Sequence, residues 1–127
     1  MMMDAINFRR VAPLAFAAAL SLCASSAFAQ SGEELFKECS TCHSVKAGEN
    51  DVGPSLHGVV GRQVASVEGF RYSNIFKAQK FVWTEDLLDR YLTDPQAMLR
   101  GSKMPYAGMP DAANRKALIA WLKAQSQ

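Results

Sequence analysis

Cys39-Ser40-Thr41-Cys42-His43 is the stretch from which the rest of this 127-residue chain can be read. Positions i, i+3 and i+4 share one face of a helical turn, so Cys39, Cys42 and His43 project together while Ser40 and Thr41 are free to vary. C-x-x-C-H is the attachment pattern of c-type haem. Two thiols can add to the two vinyl groups of one porphyrin, and the imidazole can meet the iron from one side. Three other readings compete. A thioredoxin-like pair needs a βαβ context, and no strand-rich stretch surrounds the motif. A zinc site needs a second ligand pair, and only His57 remains near. A disulfide across two residues is strained and reducible. The motif therefore predicts one covalent haem c, with thioethers at Cys39 and Cys42 and His43 on the iron.

Upstream, Arg9 and Arg10 precede an apolar run from Val11 to about Cys23, and Ala27-Phe28-Ala29 follows as an A-x-A cleavage site. This is the pattern of a secretory signal peptide. The expected division is a cleaved segment, residues 1–29, and a single mature domain, residues 30–127, exported to the periplasm. The apolar run is short and ends in Ser25-Ser26, which disfavours a permanent membrane anchor. Leu22 is too large for the position before a lipidated cysteine, and the Arg9-Arg10 pair lacks a persuasive twin-arginine setting. The mature chain carries 12 basic and 11 acidic residues. Such a balance lacks the basic face that nucleic-acid binding requires. With Cys39 and Cys42 assigned to the haem, no disulfide framework remains, and a domain this small gains much of its core from a large flat cofactor.

Downstream, Ser31 with Glu34 reads as a capping box opening a helix that runs into Cys39. Gly48, Gly53, Pro54, Gly58, Gly61 and Gly69 punctuate a long loop region. So long an irregular stretch is expected only if it wraps something. A short helix is expected over residues 73–80. Thr84, Glu85 and Asp86 start a clearer one, with Leu87, Leu88, Tyr91 and Leu92 on its inner stripe. Asp94-Pro95 opens a short helix to about Arg100. Asp111 caps the last helix, with Leu118, Trp121 and Leu122 inward. The fold class is all-α: three main helices, one or two short ones, and long loops around one haem.

A second axial ligand decides between electron transfer and open-iron chemistry. His57 lies in a turn-like Leu56-His57-Gly58 setting close to the first ligand. Met98 reads as core filler. Met104, in Gly101-Ser102-Lys103-Met104-Pro105, sits in a stiff loop able to present one side chain to a fixed point. Met109, also followed by proline, is the alternative.

The motifs Cys39-x-x-Cys42-His43, Gly53-Pro54-Ser55-Leu56-His57-Gly58, Gly61-Arg62, Gly69-Phe70-Arg71-Tyr72-Ser73, Trp83, Tyr91-Leu92, Gly101-Ser102-Lys103-Met104 and Leu118-Ile119-Ala120-Trp121-Leu122-Lys123 run through nearly all of residues 31–125. In these the chain resembles class I c-type cytochromes, the bacterial kind closely related to mitochondrial cytochrome c. The resemblance implies Met104 as the axial sulfur ligand. It implies the Pro54 carbonyl as acceptor for His43 Nδ1–H, and Tyr72 and Trp83 as donors to a haem propionate whose charge Arg62 offsets. Tyr91 would hydrogen-bond near the Met104 sulfur, and Gly32 and Trp121 would mark a helix crossing. Departures from the pattern stand out. The segments from Gly32 to Cys39 and from His43 to Pro54 are each a residue short. Phe76 replaces an amide, Tyr106 a phenylalanine, and Glu38 a lysine often placed before the haem motif.

The function expected is a soluble one-electron carrier with His/Met ligation, monomeric and not an enzyme. Its implied partners are redox complexes: quinol–cytochrome c reductase, a terminal oxidase, a photosynthetic reaction centre or a dehydrogenase. Lys37, Lys46, Lys77 and Lys103 are candidates for steering them. Two alternatives stand beside it: a haem protein with a displaceable sixth ligand, for gas binding or peroxidase-like chemistry, and a carrier tethered by a retained N-terminal segment.

Overall fold

A computed structural model describes residues 30–126; the expected signal segment, residues 1–29, and Gln127 lie outside the described residues. The chain forms five helices in order: α1 (Gly32–Phe36), α2 (Asn74–Lys77), α3 (Glu85–Thr93), α4 (Pro95–Met98) and α5 (Ala112–Ala124). Among the described residues the only strand-like pairing is one antiparallel bridge, Gln63 to Val82. The fold is all-α.

Side-chain caps set four of the helix starts. Ser31 Oγ accepts from the Glu34 N–H (3.2 Å), Thr84 Oγ1 from Leu87 (3.2 Å), Asp94 Oδ1 from Ala97 (2.9 Å) and Asp111 Oδ1 from Asn114 (2.7 Å). Each such cap stabilises its helix by about 1 kcal/mol. The α1 capping box closes only halfway, because the Glu34 carboxylate pairs with Lys37 at 2.6 Å instead of returning to Ser31.

Helix ends depart further from expectation. The first helix stops at Phe36 rather than reaching Cys39. Beyond it Ser40 Oγ donates to the Lys37 carbonyl (2.8 Å) and Thr41 Oγ1 to that of Glu38 (3.2 Å), which draws acceptors away from a regular ladder. The backbone still coils, with Ser40 N–H to Phe36 O and His43 N–H to Cys39 O, both at 2.9 Å. The fourth helix ends at Met98, not near Arg100: Leu99 leaves at φ −128°, ψ 75° and is buried in the core. Gly101, at φ +88°, then allows the turn that a side chain would resist.

The core is built where α1 and α3 pack on α5. Leu35, Phe36, Leu88, Tyr91, Leu92, Leu118, Ile119 and Leu122 are buried there, each large apolar side chain contributing roughly 1.5–3 kcal/mol. A Cβ on Gly32 would run into Trp121 Cβ and the Ala117 carbonyl, so only glycine permits this crossing. The inner face of α5 differs from the expected stripe: Ile119 and Arg115 are buried, whereas Trp121 is half-buried against Phe36, ring centroids 4.9 Å apart.

Residues 47–69 remain loop, yet they are tied down. Asn50 bridges the region, donating to the Glu68 carbonyl and accepting from the Ser55 N–H, both at 3.0 Å. Backbone bonds from Gly61 to Trp83 (2.7 Å), Trp83 to Arg62 (2.8 Å) and Val64 to Phe81 (3.0 Å) pin its far end to the segment before α3.

Candidate functional site

Cys39, Cys42 and His43 lie on one closed turn, and all three are half-buried. The two thiols are free of each other. Burial, with Glu38 beside it, pushes the Cys39 thiol up to about 11. A redox C-x-x-C needs a stabilised thiolate, so the environment runs against that use. Among the described residues no three His, Cys, Asp or Glu side chains gather as a metal-binding group.

The His43 ring is fixed from its Nδ1 side, which lies 2.7 Å from the Pro54 carbonyl oxygen. That bond settles the tautomer and leaves Nε2 for an iron. Gly53 lets the backbone pass against the ring: a Cβ there would stand 2.6 Å from Nδ1. Burial is the larger influence on the imidazole and lowers its proton affinity; the Pro54 bond opposes it, and Arg62 adds to the lowering. A neutral ring is the form a metal ligand requires.

The methionines separate. Met109 is buried in the core, its N–H donating to the Leu92 carbonyl at 2.7 Å. Met98, half-buried, helps line a cavity of about 440 Å³ with Arg90, Thr93, Asp94 and Ala97. Met104 is half-buried, and its Sδ accepts from Tyr91 Oη at 3.3 Å. Its loop is held by Gln96 Nε2, which donates to the Ser102 (3.1 Å) and Met104 (3.2 Å) carbonyls. His57, half-buried in its turn, is turned to the Val45 carbonyl through Nδ1 at 3.2 Å.

Arg62, Tyr72 and Trp83 come from separate segments. Arg62 Nη1 donates to the His57 carbonyl at 2.6 Å, and burial draws its guanidinium below the usual value. Tyr72 Oη accepts from the Val67 N–H at 3.3 Å, so its own proton stays available. Trp83 is buried, 4.8 Å from Phe81 and 5.1 Å from Tyr91 by ring centroids. Phe76, in place of an amide, stands edge-on to Tyr91 at 6.1 Å and extends this aromatic wall to Tyr72.

One polar group was missed from sequence. Ser73 Oγ is buried without a hydrogen-bond partner, a state that costs roughly 1–3 kcal/mol unless something satisfies it. Ser73 sits at the N-cap of α2 and makes no cap bond. The visible signal was only its place beside Tyr72. This unsatisfied hydroxyl, the glycine passage at His43 and the soft sulfur of Met104 together fit a haem: a propionate could take the hydroxyl, and imidazole and thioether suit its iron.

A family model described as cytochrome c matches residues 29–126. The chain is 48% identical over 95 residues to a cytochrome c-type cyt cy of Rhodobacter capsulatus, covering 74% of this chain and 47% of that protein's length. It is 44% identical over 96 residues to cytochrome c2 of Blastochloris viridis, covering 75% of this chain and 76% of the other. Among solved structures, cytochrome cH from Methylobacterium extorquens superposes with a TM-score of 0.69 at 34% identity, over 73% of this chain and 94% of that one. With a C-x-x-C-H turn in place and matches across its whole described length, the chain belongs to the cytochrome c family, electron-transfer proteins whose haem c is attached covalently.

Proposed function

We propose that the chain is an exported one-electron carrier in which Cys39 and Cys42 would anchor the haem and His43 and Met104 would hold its iron. The Tyr91–Met104 hydrogen bond carries this reading: of Met98, Met104 and Met109, only Met104 has its sulfur fixed by a buried donor. When bound, the haem supplies a ferric–ferrous couple. The chain's part is to hold both axial donors still, so that a change of oxidation state needs little rearrangement. The soft Met104 thioether and the buried Trp83 and Tyr91 favour the less charged ferrous state and raise the potential. Ser73, Tyr72 and Trp83 offer donors to the propionates, and half-buried Arg62 offsets their charge.

Export is supported by the family match beginning at residue 29 and by the A-x-A site before it. No helix among the described residues is long and apolar enough to cross a membrane. A mature N-terminus at Gln30, read by mass spectrometry, is expected; retention of residues 1–29 would mean a tether. Partners are redox proteins that dock briefly on a small face.

Visible spectra of the exported protein test the ligation. Sharp low-spin ferrous bands, a weak far-red ferric sulfur band and no response to carbon monoxide are expected, with the sulfur band lost in Met104→Ala. A high-spin spectrum that shifts with carbon monoxide would replace the carrier with a ligand-binding or catalytic haem protein.

A further inference from the structure

The loop of residues 101–110 makes nearly all its hydrogen bonds toward one side of the molecule. Tyr91 reaches Met104 Sδ, Gln96 the Ser102 and Met104 carbonyls, and Arg115 the Met109 and Pro110 carbonyls at 2.9 and 2.8 Å. The Met109 N–H meets Leu92, and that of Ser102 meets Leu99. These partners belong to α3, α4, α5 or the exit from α4. Among the described residues a single hydrogen bond from the loop crosses to the N-terminal wall. Tyr106 Oη donates to Glu38 Oε2 at 3.1 Å, over a separation of 68 residues. Glu38 immediately precedes Cys39, and Tyr106 lies two residues beyond Met104.

We propose that Glu38 and Tyr106 form a clasp that closes the Met104 loop against the haem-attachment turn and slows the loop's detachment. The role rests on Met104 as the sixth ligand. Tyr106 is half-buried, and Glu38 makes no ion pair among the described residues, so no cation competes for its carboxylate. A carboxylate acceptor makes the bond charge-assisted and stronger than a neutral one. The loop between these anchors is stiff: Pro105 fixes one dihedral, and Gly108 lies against the Thr93 carbonyl too closely to admit a Cβ. A stiff loop leaves as a unit, so one tie at Tyr106 restrains Met104 as well.

The test is hydrogen exchange of the loop amides, by mass spectrometry on the ferric holoprotein, together with the rate at which added imidazole displaces the sulfur band. Tyr106→Phe and Glu38→Ala should each speed both by roughly three- to tenfold, the range expected for one hydrogen bond. The double variant should be no faster than either single one, and Glu38→Gln, which keeps an acceptor oxygen but loses the charge, should fall between the parent and Glu38→Ala. Unchanged exchange in both single variants, additive effects in the double variant, or Glu38→Gln matching Glu38→Ala would each overturn the clasp. Failure of the ligation reading shows separately, as a parent protein with no sulfur band to lose; loop-amide exchange then still reports whether the clasp exists.

Discussion

Ser73 shows how one hydroxyl can belong to a site that its own neighbourhood does not explain. Its Oγ is buried and without a partner among the described residues, so in the holoprotein it is free to meet a carboxylate of the cofactor. Replacing a donor that has such a partner costs about 1 kcal/mol. Ser73→Ala should therefore lower the holoprotein's stability in guanidinium by about that amount and shift its reduction potential, with spectra unchanged. An equally stable variant with an unaltered potential would make the hydroxyl incidental. Gly53 sits at the opposite extreme, since any Cβ would press on the His43 ring. Gly53→Ala should disturb His43 geometry directly, reducing covalent haem incorporation on expression; a normal yield with a normal low-spin spectrum would contradict it. Sequence pointed to Gly53 through its motif, but it contained nothing to mark Ser73 as unsatisfied, because satisfaction depends on neighbours brought in from elsewhere.

Helix beginnings were readable, as was the stop of α3 before Pro95, but the ends of α1 and α4 were not, and the reason is local chemistry. Ser31, Thr84, Asp94 and Asp111 each bond a backbone N–H three residues ahead, so each start is written in a few adjacent letters. Phe36 and Met98 end their helices early because of hydroxyl-to-carbonyl competition in one case and the burial of Leu99 in the other. Contact between elements is set by size and charge together. Gly32→Ala should overpack the α1–α5 crossing and cost about 1–3 kcal/mol, measured by thermal or denaturant unfolding of the holoprotein. Arg115, buried on α5, reaches Asp89 on α3 at 2.7 Å and also the Met109 and Pro110 carbonyls. Arg115→Met removes all of these while keeping bulk. Faster amide exchange at Met109 is expected, with a stability loss of about 1–3 kcal/mol for the acceptors left behind; an unchanged loop would mean that α5 does not hold it.

Charge is arranged by the fold rather than by its total. The described residues are together nearly neutral, but two of the four candidate steering lysines are already engaged: Lys37 with Glu34 at 2.6 Å and Lys46 with Glu49 at 3.6 Å. Arg71, Lys77 and Lys103 line one cavity of about 680 Å³ beside Tyr72, and none is in an ion pair among the described residues. That edge should steer an acidic partner. Reversing Arg71 and Lys77 to Glu should slow reduction by such a partner about tenfold at low salt; reversing Lys37 and Lys46 should do much less. The parent's own salt dependence should be modest, since opposite charges are interspersed and screened within about 10 Å at 0.1 M. Equal loss from both pairs would place the docking face at the haem motif instead.

Read along one dimension, the chain already held its fold class and cofactor. Cys39, Cys42 and His43 are three letters within one turn, and the cap residues and apolar stripes repeat over short intervals. Met104 as the thioether, with Tyr91 near its sulfur, was already implied by the family resemblance, but the unsatisfied Ser73, the engaged Lys37 and Lys46, and the bond between Glu38 and Tyr106 all needed folding to appear. Each joins or isolates groups according to packing and distance. A hydrogen bond across 68 residues has no period to betray it, whereas a helical turn repeats every 3.6 residues.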